Sequence, residues 1–113
     1  MIRRGDLFWA HLSPTRGSEQ TGRRPVLILQ NDIGNEFAPT TIVAPFTTKR
    51  FSKEYPTNVY IPKGIGGLKS ESTVLLSQIR MIDKTRLGRK IGHLALSIQE
   101  KVNRAIRISL GLV

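Results

Sequence analysis

The run Arg23-Arg24-Pro25-Val26-Leu27-Ile28-Leu29-Gln30-Asn31 narrows the folds open to this chain more than any other stretch. Val26 to Leu29 is apolar without alternation, so the strand it predicts needs cover on both faces. Pro25 suits the first position of that strand, because an interior proline would remove a ladder hydrogen bond. Two arginines therefore stand at the mouth of an anchored strand, and pattern alone does not decide which of them points inward.

The remaining segments fit a small β architecture around that strand. Asp6 to Leu12 predicts a first strand, with Trp9 in the core or at a subunit contact. The segment from Ser13 to Gly22 holds Pro14, Gly17 and Gly22 and reads as a polar loop. Gln30 to Pro39 is polar and turn-rich, whereas Thr40 to Phe46 is β-branched and strand-like. Thr57 to Ile61 alternates cleanly, and Pro62 to Lys69 reads as a loop with a tight turn at Gly66-Gly67. Ser72 to Met81 reads as the longest strand, followed by a polar or helical connection from Asp83 to near Gly92. Ser97-Ile98-Gln99-Glu100 fits a capping box for a last helix whose apolar face is Ile98, Val102, Ala105, Ile106 and Leu110. Lys101, Arg104 and Arg107 fall mainly elsewhere on that helix, on a solvated or partner-facing side. Five short strands before a terminal helix predict a mainly β protein, a strongly curved antiparallel sheet or barrel.

A length of 113 residues reads as a single domain, 1–113. The net charge of +10, from 18 Lys and Arg against 8 Asp and Glu, attracts polyanions without choosing among RNA, DNA, anionic lipid and acidic protein. Absence of cysteine excludes disulfides, thiol catalysis and thiolate metal sites. No apolar run approaches a membrane span. No h-region follows Met1-Ile2-Arg3-Arg4, so the expectation is a cytoplasmic protein.

The chemistry open to these residues is phosphate chemistry. An arginine at a strand's lip donates several hydrogen bonds to phosphate oxygens and stabilises developing negative charge, which is the role open to Arg24. Its alternative is a surface pair with Glu19 or Glu71. Thr47, just past Val43-Ala44-Pro45-Phe46, offers a hydroxyl from a rigid strand end, or else satisfies nearby backbone. RNA carries its own nucleophile in the 2′-hydroxyl, so orientation, proton management and charge stabilisation suffice to cut it. His11 and His93 would supply an acid and a base only if they met. The carboxylates are scattered, with no HExxH motif, and the Gly64 to Gly67 stretch lacks the strand-GxxxxGK-helix arrangement of a nucleotide loop.

Taken together, Arg4-Gly5-Asp6, Gly17-Ser18-Glu19-Gln20, Arg24-Pro25-Val26-Leu27, Asn31-Asp32, Ile42 to Thr47, Val74 to Arg80, Asp83 to Leu87 and Ile108-Ser109-Leu110 resemble the MazF/PemK-type bacterial toxin endoribonucleases. The resemblance covers essentially the whole chain. It implies a small SH3-like curved antiparallel barrel with short helices and a C-terminal helix, assembled as a homodimer. It further implies a ribosome-independent ribonuclease that cuts single-stranded RNA at short motifs, leaving a 2′,3′-cyclic phosphate and a 5′-hydroxyl, with no metal or cofactor and no membrane association. A cognate antitoxin with an acidic segment is the implied inhibitor. Arg24 and Thr47 correspond to the family's catalytic positions. Ser18, Glu19, Gln20, Arg23, Lys49, Arg50, Ser77 and Gln78 are the candidates for RNA contact. A non-catalytic RNA-binding regulator and a gyrase-directed toxin of the same barrel are the alternatives.

Overall fold

The computed structural model describes residues 1–112. Seven strands form one antiparallel sheet in the order β4-β5-β3-β2-β1-β7, with β6 beside β3 off that path. They are β1 (Asp6–His11), β2 (Arg23–Ile28), β3 (Thr40–Thr47), β4 (Asn58–Ile61), β5 (Ser72–Leu75), β6 (Arg80–Asp83) and β7 (Leu87–His93). A short helix α1 (Asp32–Phe37) follows β2, and α2 (Leu96–Ser109) closes the fold. The mainly β, antiparallel expectation holds, but the barrel is not closed. β4 and β7 end the strand order, so the molecule is a curved open sheet.

Covering both faces of β2 explains the curvature. Leu27 packs with Leu7, Phe46, Leu76, Val102 and Ala105 in a core beneath α2. Its neighbours Val26 and Ile28 point the other way, into a second core with Ala10, Leu12, Val43 and Ile82. Val26, Leu27 and Ile28 are each at most 1% exposed, and full burial of such side chains stabilises by roughly 1.5–3 kcal/mol apiece.

Several predicted boundaries move for identifiable reasons. The predicted strand from Ser72 to Met81 breaks at a single helical turn over Leu76–Gln78, because the chain changes register against β3. Continuing the Phe46↔Val74 pairing would set Val43 opposite Ser77, whereas Val43 faces Arg80. The polar stretch after β2 contains α1, capped by the Asn31 side chain, which accepts from the Gly34 N–H at 2.8 Å. The connection after Asp83 holds β7, which pairs irregularly with β1. Pro25 is the third residue of β2 and faces Trp9.

The last helix begins at Leu96 behind Ala95, with no side-chain cap from Ser97. The Gln99 amide instead donates to the Leu94 carbonyl at 2.8 Å, and Arg4 bridges from the Leu29 carbonyl to Asn103. Leu110, predicted on the apolar face, is 57% exposed.

The loop at Gly66 and Gly67 has positive φ at both residues, as the tight turn required, and lies against β7. A Cβ at Gly92 would meet the Gly66 carbonyl group, with its carbon at 2.7 Å. Gly92→Ala should therefore lower stability by about 1–3 kcal/mol, read as the urea midpoint; an unchanged midpoint would contradict this packing. Asp32 is held below its ordinary value of 3.8 first by the Arg4 backbone N–H, and Asp83 below the same value first by the Thr85 hydroxyl. Folded values below unfolded ones mean that this stabilisation is present above pH 3.8 and is lost as pH falls through the folded values. An Asp32→Asn/Asp83→Asn protein should accordingly show a shallower loss of Tm on acidification below that pH.

Candidate functional site

The alternation of β2 decides between the two arginines. Arg24 pairs with Ala10 and shares its face, whereas Arg23 pairs with His11 on the opposite face. There the Arg23 guanidinium lies over the Trp9 ring, 4.3 Å from its centroid. Trp9 is thus half-buried beneath a cation. Arg24 instead donates from Nε to the Thr21 carbonyl at 3.0 Å and from Nη1 to the Phe46 carbonyl at 3.1 Å. It pairs with neither Glu19 nor Glu71. Two backbone acceptors orient the fork, and its other N–H groups have no partner among the described residues.

Thr47 lies beside this guanidinium. The β2–β3 register runs Ile28↔Val43, Leu27↔Ala44, Val26↔Pro45, and its continuation sets Arg24 opposite Thr47. Thr47 is only 9% exposed, and its Oγ1 accepts the Lys49 N–H at 3.2 Å. With a lone pair so occupied, the hydroxyl proton is available for an incoming oxygen. The row continues across the sheet, since Thr47 faces Thr73 and Thr73 faces Tyr60.

The β1–β2 loop forms the wall on the other side. Its base is closed by the Leu12 N–H on the Gly22 carbonyl and by the Ser13 and Thr21 hydroxyls at 2.9 Å. Gln78 then fastens it: Oε1 accepts the Gln20 N–H at 2.8 Å and Nε2 donates to the Ser18 carbonyl at 3.4 Å. Between loop and sheet lies a cavity of about 330 Å³, lined by Ser18, Glu19, Gln20, Ser77 and Gln78, with Pro45 and Arg80. The register change after β5 is what turns Ser77 and Gln78 out of the ladder toward it. Arg80 is a site residue the sequence reading passed over; its guanidinium reaches the Leu12 carbonyl at 3.3 Å. Its cross-strand pairing with Val43 could not be read without the register.

Of the other candidates, Glu19 stands on the wall of that cleft and Arg50 lies outside it. The Glu19 carboxylate accepts the Arg16 N–H within its own loop. Arg50 reaches Glu71 at 2.5 Å, and Glu71 also accepts the Tyr60 hydroxyl at 3.0 Å, which pushes that phenol above its ordinary 10.0. His11 and His93 occupy opposite ends of the β1 ladder, roughly 17 Å apart at strand spacing, so they do not form an acid–base pair. His93 Nδ1 lies 2.7 Å from the buried Asp6 carboxylate, which also receives the Arg3 N–H and Lys90. Among the described residues no three His, Asp or Glu side chains gather as a metal site, and no helix is long and apolar enough to cross a membrane.

Comparison with known proteins gives a consistent assignment. A family model described as PemK-like, MazF-like toxin of type II toxin-antitoxin system matches residues 3–110. Endoribonuclease EndoA of Bacillus subtilis (strain 168) is 50% identical over 113 residues, spanning 100% of this chain and 97% of that protein. Endoribonuclease MazF of Staphylococcus saprophyticus is 50% identical over 112 residues, spanning 99% and 93%. Among solved structures, a MazE-MazF crystal structure (Form-II) from Deinococcus radiodurans superposes with a TM-score of 0.77 at 26% identity, covering 99% of this chain and 97% of that one.

The Gln78 clasp is testable apart from any activity. Gln78→Ala removes both fastenings of the loop, and the Gln20 amide should exchange about 2- to 10-fold faster, in keeping with the net worth of a single hydrogen bond. Unchanged exchange at Gln20 would show that the loop is held by its base alone.

Proposed function

The chain belongs to the PemK-like, MazF-like toxins, and on that premise we propose that it is a metal-independent endoribonuclease cutting single-stranded RNA at short sequence motifs. The observation that carries the proposal is the Arg24 fork, aimed by the Thr21 and Phe46 carbonyls on the face that Thr47 shares. The 2′-oxygen of the substrate attacks the adjacent phosphorus as its proton leaves, and the bond to the 5′-oxygen breaks. A 2′,3′-cyclic phosphate and a 5′-hydroxyl result. Negative charge grows on the non-bridging oxygens, where a guanidinium that needs no reorientation is most effective. Thr47 donates its hydroxyl proton to one of those oxygens and fixes the phosphate against the strand. A guanidinium stays protonated and is a poor base, so Arg24 acts by charge and geometry.

Sequence choice belongs to the cleft. Exposed edges of splayed bases are read by amides and hydroxyls, and Ser18, Gln20, Ser77 and Gln78 line the cleft with such groups. An antitoxin carrying an acidic segment is the partner that the +10 charge suits, and the Deinococcus relative was solved as a MazE-MazF complex. A homodimer is supported by apolar side chains left in water. Ile42 and Met81 are cross-strand partners 38% and 61% exposed, and α1 leaves Ile33 and Phe37 74% and 78% exposed. The whole chain acts as a single domain in the cytoplasm.

In EDTA, the protein should cut a mixed-sequence RNA at recurring short motifs and leave 5′-hydroxyl ends. Arg24→Ala and Thr47→Ala should each lower kcat by about 10²- to 10³-fold with the fold intact. Cleavage undiminished in both variants would displace the chemistry from this site, and intact RNA across many sequences would remove the ribonuclease reading. Met81→Glu should shift the sedimenting species toward monomer; a wild-type protein already monomeric at micromolar concentration would refute the dimer.

A further inference from the structure

A second concavity, larger than the cleft beneath the β1–β2 loop, lies across the sheet from it. A groove of about 1100 Å³ opens beyond Thr73, between the segment linking β3 to β4, the β4–β5 pair and α2. Lys49, Arg50 and Lys53 enter it from the linking segment, and Lys101 and Arg104 from the helix. Its two carboxylates are Glu54 and Glu71, and Glu71 is already held by Arg50 and by the Tyr60 hydroxyl. Lys101 and Arg104 are exposed and form no ion pair among the described residues. Spaced three apart, they lie on one side of α2, with Ile108 a further turn along.

Aromatic rings complete the lining. Tyr55 and Tyr60 are 46% and 58% exposed, and Phe51 steadies Tyr55 edge-on with centroids 6.0 Å apart. Unpaired cations beside exposed aromatic faces make a surface on which a single strand lays its phosphates and stacks its bases. The groove is also continuous with the proposed cutting site. Thr48 and Lys49 follow Thr47 directly into it, and the cross-strand row Thr47, Thr73, Tyr60 crosses its wall.

We infer that this groove holds the flank of the same single-stranded RNA that is cut at Arg24 and Thr47, with Lys101 and Arg104 receiving its phosphates and Tyr55 and Tyr60 its bases. The inference rests on the endoribonuclease reading. It adds a length requirement, because RNA that ends near the cut cannot reach α2. The benefit falls on substrate capture, since neither α2 cation touches the reacting phosphate.

The test uses the cut motif mapped on mixed-sequence RNA, synthesised in a short form ending about two nucleotides beyond the motif and a long form carrying about ten more on each side, a span comparable to single-strand site sizes. Wild-type protein should favour the long RNA by roughly 3- to 10-fold in kcat/KM, expressed in KM and diminished by salt. Lys101→Ala/Arg104→Ala should lose that advantage, keep wild-type kcat/KM on the short RNA, and reduce the log–log salt slope for long-RNA binding by about 1.4, the value for two lost single-strand phosphate contacts. Alanine at exposed helix positions preserves α2, and the short RNA reports the integrity of the site. A variant that keeps the length advantage overturns the groove assignment while leaving the ribonuclease intact. The same result with weakened binding of an acidic peptide would give the groove to a protein partner and also overturn it. Failure of wild-type protein to cut any RNA would remove the underlying reading, and this inference with it.

Discussion

Burial of β2 and β3 on both faces is the constraint on which the rest of the molecule depends. Adjacent residues of β2 belong to different cores, Leu27 to the one under α2 and Val26 and Ile28 to the other. One sheet face cannot satisfy both, so the sheet curves and recruits α2 to one side and the Leu12 and Ile82 cluster to the other. Phe46, 1% exposed, ties β3 into the first core, and its carbonyl is one of the two acceptors that aim Arg24. The positioning of the candidate site is thus a direct consequence of core packing. Its functional groups sit where two buried strands come to an end.

The site also depends on places where regular pairing fails. β5 and β6 share one side of β3 out of register, and the intervening turn at Leu76–Gln78 frees Gln78 to clasp the β1–β2 loop. A regular strand through Ser77 would have kept that residue in the ladder and left the loop tethered only at its base. Thr73 belongs to the regular part and carries the Thr47 row outward to Tyr60. Ladder and interruption therefore serve different ends: one extends a continuous polar surface, the other shapes a cleft.

Electrostatics overlies this scaffold without organising it. Most of the charge that yields +10 lies at the surface, whereas Asp6 is fully buried and surrounded by the Arg3 N–H, Lys90 and His93. That carboxylate and the Arg4 and Gln99 contacts hold the N-terminal turn, β7 and α2 together at the end of β1 away from Arg24. The surface cations take no part in that cluster.

Much of this was legible in the residues. The apolar run Val26 to Leu29, the β-branched Thr40 to Phe46 and the 3.6-residue period of α2 determined strands and helix, because each pattern can be buried in only one way. The ordered motifs around Arg24 and Thr47 determined the family. β7 was hidden because Gly88, Arg89, Lys90 and Gly92 show no alternation; its pairing with β1 comes from tertiary contact. The helix start was misplaced because Gln99 bonds to Leu94 and Arg4, partners no local rule could name. Only the tertiary structure decided that Arg24 and Arg23 face opposite ways, and that Lys101 and Arg104 share a groove with Tyr60. Strand register and element packing set those relations, and both are fixed by contacts between residues far apart in the chain.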